Sequence, residues 1–312
     1  MIEIPESNTY AQQLNETINQ KKIVGIITNH SPHKFAFFYD DDKNYLDLLK
    51  GKDICKISSF GGQVVLLAKT RCDSVNESED EDKLEDEDKA RTDDKARIDD
   101  KASDNEILIA LADDAQIRYI YNDEKVPEKH QLLITFEDAS KLVVSARMYA
   151  QIHVCPSNTY DNKYYEIAIE KPSPLSDDFT MNYFENLFDE VKPNTSLKSF
   201  LATKQRIPGI GNGTLQDILF NAKLHPKTKI KKLSNEQKED LFNSVKNTLK
   251  VMTEQGGRNT EKTLFGDFGR YEVIFSSKTF KKPCPVCGGK INKESYLGGV
   301  IYYCPYCQKL DD

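Results

Sequence analysis

Four cysteines near the C-terminus have the spacing of a metal site. Cys284 and Cys287 form one CxxC pair, and Cys304 and Cys307 form a second pair after sixteen intervening residues. Two such pairs place four thiolates at the corners of a tetrahedron, which is the geometry of a closed structural zinc site. A disulfide framework is the alternative, but no other feature of the sequence indicates secretion. We therefore predict a structural Zn²⁺ ion that folds a short C-terminal hairpin.

A glycine-rich turn, Pro208–Gly213, lies between two segments of helical periodicity. Its three glycines let the backbone approach a ligand closely, and the N-terminus of the helix that follows favours a phosphate. A tight turn between helices is the alternative interpretation of the same residues. The flanking helices are predicted at Leu197–Gln205 and Thr214–Ala222.

Charge is distributed unevenly along the 312 residues. The net charge is −7, but residues 74–104 alone carry fourteen acidic and six basic side chains. From residue 196 to the end, Lys and Arg outnumber Asp and Glu nearly two to one, which is the electrostatic footprint of a protein that binds a phosphate backbone. Residues 74–105 contain too few apolar side chains to offset the entropy of ordering, so we predict a low-complexity loop insertion there. The alternative is that this acidic segment inhibits the protein itself by mimicking the charge of DNA.

The first half of the chain is predicted to be mostly β after one opening helix at Pro5–Thr17. Apolar residues recur at helical spacing in that helix, whereas the later segments are short, rich in β-branched and aromatic residues and bounded by turns. Several such strands favour a sandwich or a barrel. The predicted strands are Lys22–Thr28, Lys34–Tyr39, Gln63–Ala68, Ile107–Leu111, Gln116–Tyr121, Gln131–Phe136, Lys141–Met148 and Tyr164–Glu170.

The pattern becomes helical after Pro172. Ser234 and Gln237 form a capping box at the start of a segment whose apolar residues have helical spacing. We therefore predict a multidomain α+β fold. It consists of an N-terminal β-sandwich domain (1–171), a helical domain (172–277) and a zinc hairpin (278–312).

The segment Ile207–Pro226 resembles the helix–two-turn–helix signature of the formamidopyrimidine-DNA glycosylase and endonuclease VIII family. That family ends in a CxxC…CxxC zinc finger, as this chain does. It begins with Met-Pro-Glu-Leu-Pro-Glu, where this chain has Met-Ile-Glu-Ile-Pro-Glu. The Gly256-Gly257 pair also falls where the family has a Gly-Gly element before the finger. The resemblance covers the whole chain except the acidic insertion.

The resemblance implies a two-domain clamp that holds DNA and receives a flipped, damaged nucleotide in the cleft between the domains. Asn212 matches the family's phosphate-binding asparagine. Arg147 and Tyr149 fall in the loop that wedges into the duplex, and Tyr149 retains a ring that can stack. The implied DNA-binding residues are Asn212, Gly211, Gly213, Tyr149 and Arg147.

The resemblance also implies a catalytic N-terminus. In the family, removal of Met exposes a proline whose secondary amine attacks C1′ of the sugar and forms a Schiff base. Glu3 occupies the position of the glutamate that handles protons on the opening sugar. Ile2 replaces the proline, and because methionine excision generally requires a small second residue, we expect Met1 to remain. Its primary amine can still form a Schiff base, although it lies one residue further out.

Other departures concern residues that the family uses at the damaged nucleotide. Gln63 stands where a DNA-contacting lysine belongs, and Ala110–Asp114 replaces the loop whose methionine fills the gap left by the flipped base. Gly298-Gly299 replaces the Gly-Arg pair at the tip of the finger. Groups that hold DNA are thus kept, while groups that cooperate at the lesion are changed.

Three functions remain open. The first is a DNA glycosylase, with or without lyase activity, that acts on double-stranded DNA with damaged or abasic nucleotides. The second is a catalytically weakened relative that only binds such DNA, and the third is a zinc-ribbon module for RNA or protein. We expect a monomer in the cytoplasm, associated with the nucleoid, because the sequence has no signal-peptide pattern and no apolar run of membrane-spanning length. Cys55, Cys72 and Cys155 are expected to be ordinary thiols.

Overall fold

The computed structural model describes residues 1–72, 105–122 and 124–310. These residues form a sheet domain, a helical domain and a C-terminal hairpin in that order, so the prediction of a multidomain α+β fold is confirmed. The predicted boundaries at 171/172 and 277/278 stay predictions. The predicted acidic insertion (74–105) lies outside the described residues, except for residue 105.

The strands of the sheet domain form one continuous seven-stranded sheet within the described residues. The strand order is β1-β6-β7-β5-β4-β3, and β2 pairs with β7 as the one parallel neighbour. The strands are β1 (Ile23–Thr28), β2 (Ala36–Phe38), β3 (Asp53–Phe60), β4 (Gln63–Lys69), β5 (Ile107–Ile120), β6 (Leu132–Phe136) and β7 (Lys141–Pro156).

Helix α1 (Ile4–Ile18) opens the chain and packs one face on this sheet, close to the predicted bounds. The Glu6 side chain accepts a hydrogen bond from the Glu3 amide at 3.2 Å, which satisfies one of the donors exposed at the helix start. Tyr10, Leu14 and Ile18 recur at helical spacing and are buried in the core of the sheet domain. This packing places the first residues of the chain at the edge of that core.

Strand β5 replaces two predicted strands by one long strand with a bulge. Its register with β7 shifts between Asp113 and Ala115, and Asp113 has a φ of +63°. A bulge bends a strand and changes the direction of the side chains beside it. The bulge lies in the segment that precedes the second predicted strand, which explains why the sequence pattern looked interrupted there.

The predicted strand at Tyr164–Glu170 is wrong, because residues Lys163–Glu170 form helix α3. The Asn162 side chain accepts hydrogen bonds from the amides of Tyr164 and Tyr165 and so caps the helix. The aromatic and β-branched residues here imitate a strand pattern, but the side chains that are buried, Tyr165 and Ala168, are three residues apart as on a helix face.

Two elements of the sheet domain were not predicted, namely β3 and the short helix α2 (Tyr45–Leu49). The prediction of free thiols at Cys55 and Cys72 is also wrong, because these residues form a disulfide with a Cα–Cα distance of 5.3 Å. The β3–β4 hairpin brings them together across 17 residues of sequence. Cys155 is a free, buried thiol as expected.

The helical domain has its own apolar core. The capping box predicted at Ser234 is present, with the Gln237 amide donating to the Ser234 hydroxyl and the Ser234 amide donating to the Gln237 side chain. It begins a 20-residue helix whose apolar face, including Leu241, Val245 and Leu249, is fully buried. The helices of this domain are α4 (Met181–Asp189), α5 (Leu197–Ala202), α6 (Asn212–Asn221) and α7 (Asn235–Glu254). No helix of the described ranges is long and apolar enough to cross a membrane.

The two domains meet where two glycine turns pack directly on each other. A Cβ atom added to Gly209, which has a φ of +85°, would lie 2.4 Å from the carbonyl carbon of Gly61. A Cβ atom on Gly62 would lie 2.7 Å from the carbonyl oxygen of Ile2. The Gly61-Gly62 pair thus lets the β3–β4 turn approach the first residues of the chain and the helical domain.

We expect Gly209→Ala to lower the free energy of unfolding by about 3 kcal/mol or more, because the methyl group both clashes with backbone and strains a positive φ. Gly51→Ala is the matched control. Gly51 has a similar φ of +82° but nothing within 4 Å of its added Cβ, so only about 1 kcal/mol is expected from strain. Urea unfolding of both variants measures the difference, and equal losses would contradict a tight contact at Gly209.

Candidate active site

The N-terminal amine lies beside acidic side chains at the rim of the sheet domain. The Met1 nitrogen is 2.5 Å from Asp114 Oδ1 and 3.5 Å from Glu261 Oε2. The Met1 residue is 49% exposed. A solvent-accessible amine with carboxylate partners is therefore available at the position where the sequence predicts a nucleophile.

Ile2 anchors this amine. The Ile2 side chain is buried in the core of the sheet domain, and its amide donates a 2.6 Å hydrogen bond to the carbonyl of Asp113. Because residue 2 is fixed, the residue before it emerges at the surface in a defined position. If Met1 were removed, the new amine would belong to a buried residue.

Glu3 is buried, and five donors surround its carboxylate. Oε2 accepts hydrogen bonds from the amides of Gly211 and Thr214 and from the Thr214 hydroxyl, at 2.7–3.1 Å. Oε1 accepts from the Gly213 amide at 2.9 Å and from Arg258 at 3.3 Å. Burial alone would raise the pKa of Glu3. Arg258 and the hydrogen bonds from Thr214 and Gly213 lower this pKa by more than burial raises it, so the net shift is downwards. Glu3 therefore remains ionised at the N-terminus of α6.

Arg258 joins the glutamates of the N-terminal segment in one buried network. Its backbone amide and guanidinium donate three hydrogen bonds to Glu6, at 2.7–3.1 Å, and Nη2 also donates to the Met1 carbonyl at 3.1 Å. Despite burial, the two glutamates raise the pKa of Arg258. Charged groups this deeply buried are stable only when each has its partners. Arg258 directly follows the Gly256-Gly257 pair, but nothing in the sequence pattern predicts this role.

Gly211 and Gly213, which were predicted to bind DNA, lie against Glu3 and Arg258 in this structure. Both backbone amides donate to Glu3. A Cβ atom on Gly213 would lie 1.5 Å from the Arg258 guanidinium, and one on Gly211 would lie 2.6 Å from the Glu3 carboxyl carbon. The absence of side chains in this turn therefore makes room for the buried ion network.

Asn212 stands on the outer side of the same turn, next to the C-terminal hairpin. This hairpin consists of β8 (Asn292–Tyr296) and β9 (Gly299–Tyr303). The exposed Asn212 side chain donates to the Val300 carbonyl at 2.9 Å. At the tip, Lys198 from α5 donates to the carbonyl of Tyr296 at 2.5 Å. Lys198 thus places a cation near the tip, where Gly298-Gly299 lacks the arginine of the family. The sequence did not predict this role for Lys198.

Arg147 and Tyr149 both lie on the surface of the sheet domain. Arg147 is paired with Glu261 and is 3.7 Å from Asp114, so it belongs to the charged cluster around the amine. Tyr149 is 47% exposed, and its ring packs against Phe35 with a centroid separation of 4.7 Å. The exposed aromatic surface is suited to stacking on an unpaired base. Gln63, in contrast, is buried and accepts a hydrogen bond from Tyr160 at 3.5 Å.

The four predicted cysteines converge at the base of the hairpin. The Sγ atoms of Cys284, Cys287, Cys304 and Cys307 all lie within 4.8 Å of one another, and the Cys284–Cys307 separation is 3.8 Å. A tetrahedron of thiolates about 2.3 Å from a zinc ion has sulfur separations of about 3.8 Å. The donor set and its dimensions therefore fit a metal of this kind.

Comparison with known proteins agrees with this arrangement. Residues 171–263 match the formamidopyrimidine-DNA glycosylase H2TH domain. The formamidopyrimidine-DNA glycosylase of Prochlorococcus marinus is 30% identical over 193 residues, which cover 58% of this chain and 66% of the relative. This chain belongs to the formamidopyrimidine-DNA glycosylase and endonuclease VIII family. The family resemblance seen in the sequence is thereby confirmed.

The family relatives match only part of their length at the level of sequence. The Legionella pneumophila formamidopyrimidine-DNA glycosylase is 34% identical over 142 residues, so the chain spans about half the length of that relative (51%). The fold agrees over nearly all residues. The Thermus thermophilus MutM (Fpg) protein has a TM-score of 0.72 at 16% identity and covers 99% of this chain and 100% of its own. A Lactococcus lactis Fpg complex with abasic-site DNA has a TM-score of 0.72 at 19% identity, with 98% and 99% coverage.

We expect Arg258→Met to lower the free energy of unfolding by about 3–5 kcal/mol at pH 7, because two buried carboxylates lose their cation. The folded-state pKa of Glu3 is lowered, so Glu3 contributes stability above its unfolded pKa of 4.5 and loses it as the pH falls through the folded value. The deficit of the variant should therefore be full at pH 7 and shrink only as the pH falls below 4.5 towards the folded value.

Arg270→Met is the matched control, since Arg270 is exposed and the substitution is chemically the same. A change within about 0.5 kcal/mol is expected for it. Chemical denaturation across this pH range measures both variants. A small, pH-independent loss in Arg258→Met would show that the buried network contributes little.

Proposed function

We propose that this chain is a DNA base-excision repair glycosylase that binds double-stranded DNA at damaged or abasic nucleotides and cleaves N-glycosidic bonds. The observation that carries the proposal is the exposed Met1 amine, held by buried Ile2 and joined through Arg258 to the turn that precedes α6. The family relatives are named for this activity. Fpg structures of the same fold contain abasic or benzylated formamidopyrimidine lesions in DNA.

In this proposal the Met1 amine is the nucleophile. A primary amine that attacks C1′ of the sugar can form a Schiff base, which gives the protein lyase capacity on abasic sites. Ile2 holds the amine in place. Glu3, an ionised carboxylate two residues after Met1 in the chain, fixes α6 relative to the amine and stabilises positive charge that develops nearby.

The DNA-binding surface in this proposal lies on both sides of the amine. Asn212 and the finger tip contact backbone phosphates, Arg147 positions the damaged strand, and Tyr149 stacks where a base has been flipped out. Gly211 and Gly213 act indirectly, because they admit the Glu3 carboxylate that holds the turn. We propose that the protein acts as a monomer in the cytoplasm, associated with the nucleoid.

A catalytically weakened DNA-binding protein is the second candidate. The observation that favours it is the ion pairing of the Met1 amine with Asp114 and Glu261, since a protonated amine is not nucleophilic. Gln63 also lacks the charge of the lysine expected at its position. Such a protein would bind abasic DNA with similar affinity but would leave it uncut.

Borohydride trapping on duplex DNA with one abasic site separates the two candidates. We expect a covalent protein–DNA adduct that maps to the N-terminal peptide, because borohydride reduces a Schiff base to a stable amine. Intact mass should show that Met1 is present. The control is a Gly-Ser extension before Met1, which displaces the amine, and it should bind the same duplex but give no adduct.

If the unextended protein binds the abasic duplex but gives no adduct, the second candidate is supported and lyase activity is refuted. An equal adduct yield from the extended protein would show that another amine reacts.

We further propose that the four-cysteine cluster holds one structural Zn²⁺ ion per chain. Such an ion would supply much of the folding free energy of a hairpin this small. The hairpin contacts α6 through the Gln216 side chain, which accepts from Tyr302 and donates to Val300. Loss of the ion should therefore disturb the DNA-facing tip more than the sheet domain.

We expect Cys304→Ser to lose the zinc and to weaken binding of abasic duplex DNA by tenfold or more. Cys155→Ser is the matched control, because Cys155 is a buried free thiol in the sheet domain, and this variant should keep one zinc per chain. Metal analysis by mass spectrometry and a binding titration at fixed salt measure the two effects. Full metal content in Cys304→Ser would refute a four-cysteine site.

A further inference from the structure

The carboxylate nearest to the N-terminal amine is Asp114, a residue from the segment that departs from the family pattern. Asp114 Oδ1 lies 2.5 Å from the Met1 nitrogen, and the Asp114 residue is only 9% exposed. Glu261 is further from the amine, at 3.5 Å, and is also paired with Arg147. The amine is therefore in direct hydrogen-bonding contact with one largely buried carboxylate.

The β5 bulge aims Asp114 at the amine. Asp113 adopts a positive φ of +63°, and its side chain accepts a 2.8 Å hydrogen bond from Gln151, while its carbonyl holds the Ile2 amide. Aspartate tolerates this backbone region better than most residues. The same bulge therefore anchors residue 2 and presents the next carboxylate to residue 1, so the contact is built by the backbone.

Glu3 is less suited to carry protons for this amine. All five donors around its carboxylate are protein groups, and they keep it ionised at the N-terminus of α6. Protonation of Glu3 would leave buried donors without an acceptor, which is costly. Asp114, in contrast, contacts the amine of a residue that is 49% exposed.

We propose that Asp114 is a catalytic proton carrier for the Met1 amine when that amine forms a Schiff base with the aldehyde of an abasic site. The proposal rests on the proposed function, in which Met1 is the nucleophile. It assigns the proton transfers to a residue that replaces part of the family's void-filling loop.

The steps balance without a further reactant. The Asp114 carboxylate takes one proton from the Met1 ammonium, and the freed nitrogen lone pair bonds to the C1′ carbonyl carbon. A second proton moves from nitrogen to the former carbonyl oxygen, which gives a carbinolamine. Asp114 then returns its proton to that hydroxyl group, the C–O bond breaks, and water leaves as the protonated imine forms.

The surrounding charges suit this sequence of steps. The acidic groups around the amine are Asp114, Asp113 and Glu261. The basic groups are Arg147, which lies near Asp114, and Arg258, which donates to the Met1 carbonyl. The positive imine replaces the positive ammonium, so Asp114 has a cationic partner before and after the reaction. Positioned acid–base catalysis of this kind contributes about 10²–10⁴-fold to a rate.

The test is single-turnover borohydride trapping on an abasic duplex, with protein in excess of DNA. We expect Asp114→Asn to slow trapping by about 100-fold while its affinity for the same duplex changes by less than about threefold. Asp114→Glu should recover part of the rate. In Asp114→Ala, added formate or acetate should raise the trapping rate in proportion to its concentration, because a small acid can take the vacated position.

Glu128→Gln is the charge-matched control. Glu128 is exposed and pairs only with nearby Lys125 among its ion pairs of the described residues, so trapping should proceed at the normal rate. Unchanged trapping in Asp114→Asn would overturn the proposal while leaving the proposed function intact. A slow Asp114→Ala variant that formate and acetate do not accelerate would also overturn it, since Asp114 would then only position the amine. Absence of trapping in the unsubstituted protein would refute both this proposal and the Schiff-base chemistry.

Discussion

The structure depends on one buried carboxylate, that of Glu3, which the N-terminus of α6 and Arg258 surround with donors. A helix N-terminus exposes unpaired amides and a partial positive charge, and a carboxylate satisfies both. Here that carboxylate comes from the other domain. Arg258 then neutralises the second glutamate, Glu6, so that two acids and one base share the domain junction. The one negative charge that Arg258 leaves unpaired is balanced by the N-terminus of α6 and not by solvent.

Helix α6 connects this junction to the finger. Its first turn binds Glu3, and one turn further Gln216 pairs with the edge of β9 through Val300 and Tyr302. The N-terminal segment and the C-terminal hairpin are therefore both fixed to the same ten-residue helix. This explains why the glycine turn before α6 is so restricted in shape. Glycine is needed at position 213 for space and not for motion, because the Arg258 guanidinium fills the place that a side chain would take.

Features encoded by short-range patterns were predictable from the sequence. The CxxC pairs, the capping box at Ser234 and the opening helix depend on residues close together in the chain, and the structure has all of them. The wrong strand at 164–170 shows the limit of such patterns, because the aromatic and β-branched residues there belong to a helix that Asn162 caps. The ion pairs of the site were not predictable. Most of them join residues more than 100 positions apart, and charge alone does not identify the partner of a given acid.

The sequence separation of these contacts has a consequence during synthesis. Glu3 finds its partners only at residues 211–258, so most of the polypeptide must leave the ribosome before the first residues can dock. Until then Glu3 lacks these partners, although Ile2 belongs to the core of the sheet domain, whose last strand ends at Pro156. Because methionine excision acts on the nascent chain and requires a small second residue, Ile2 settles whether Met1 is kept before the donors around Glu3 are in place. The N-terminal amine of the folded protein is therefore determined before the residues that surround Glu3 have been synthesised.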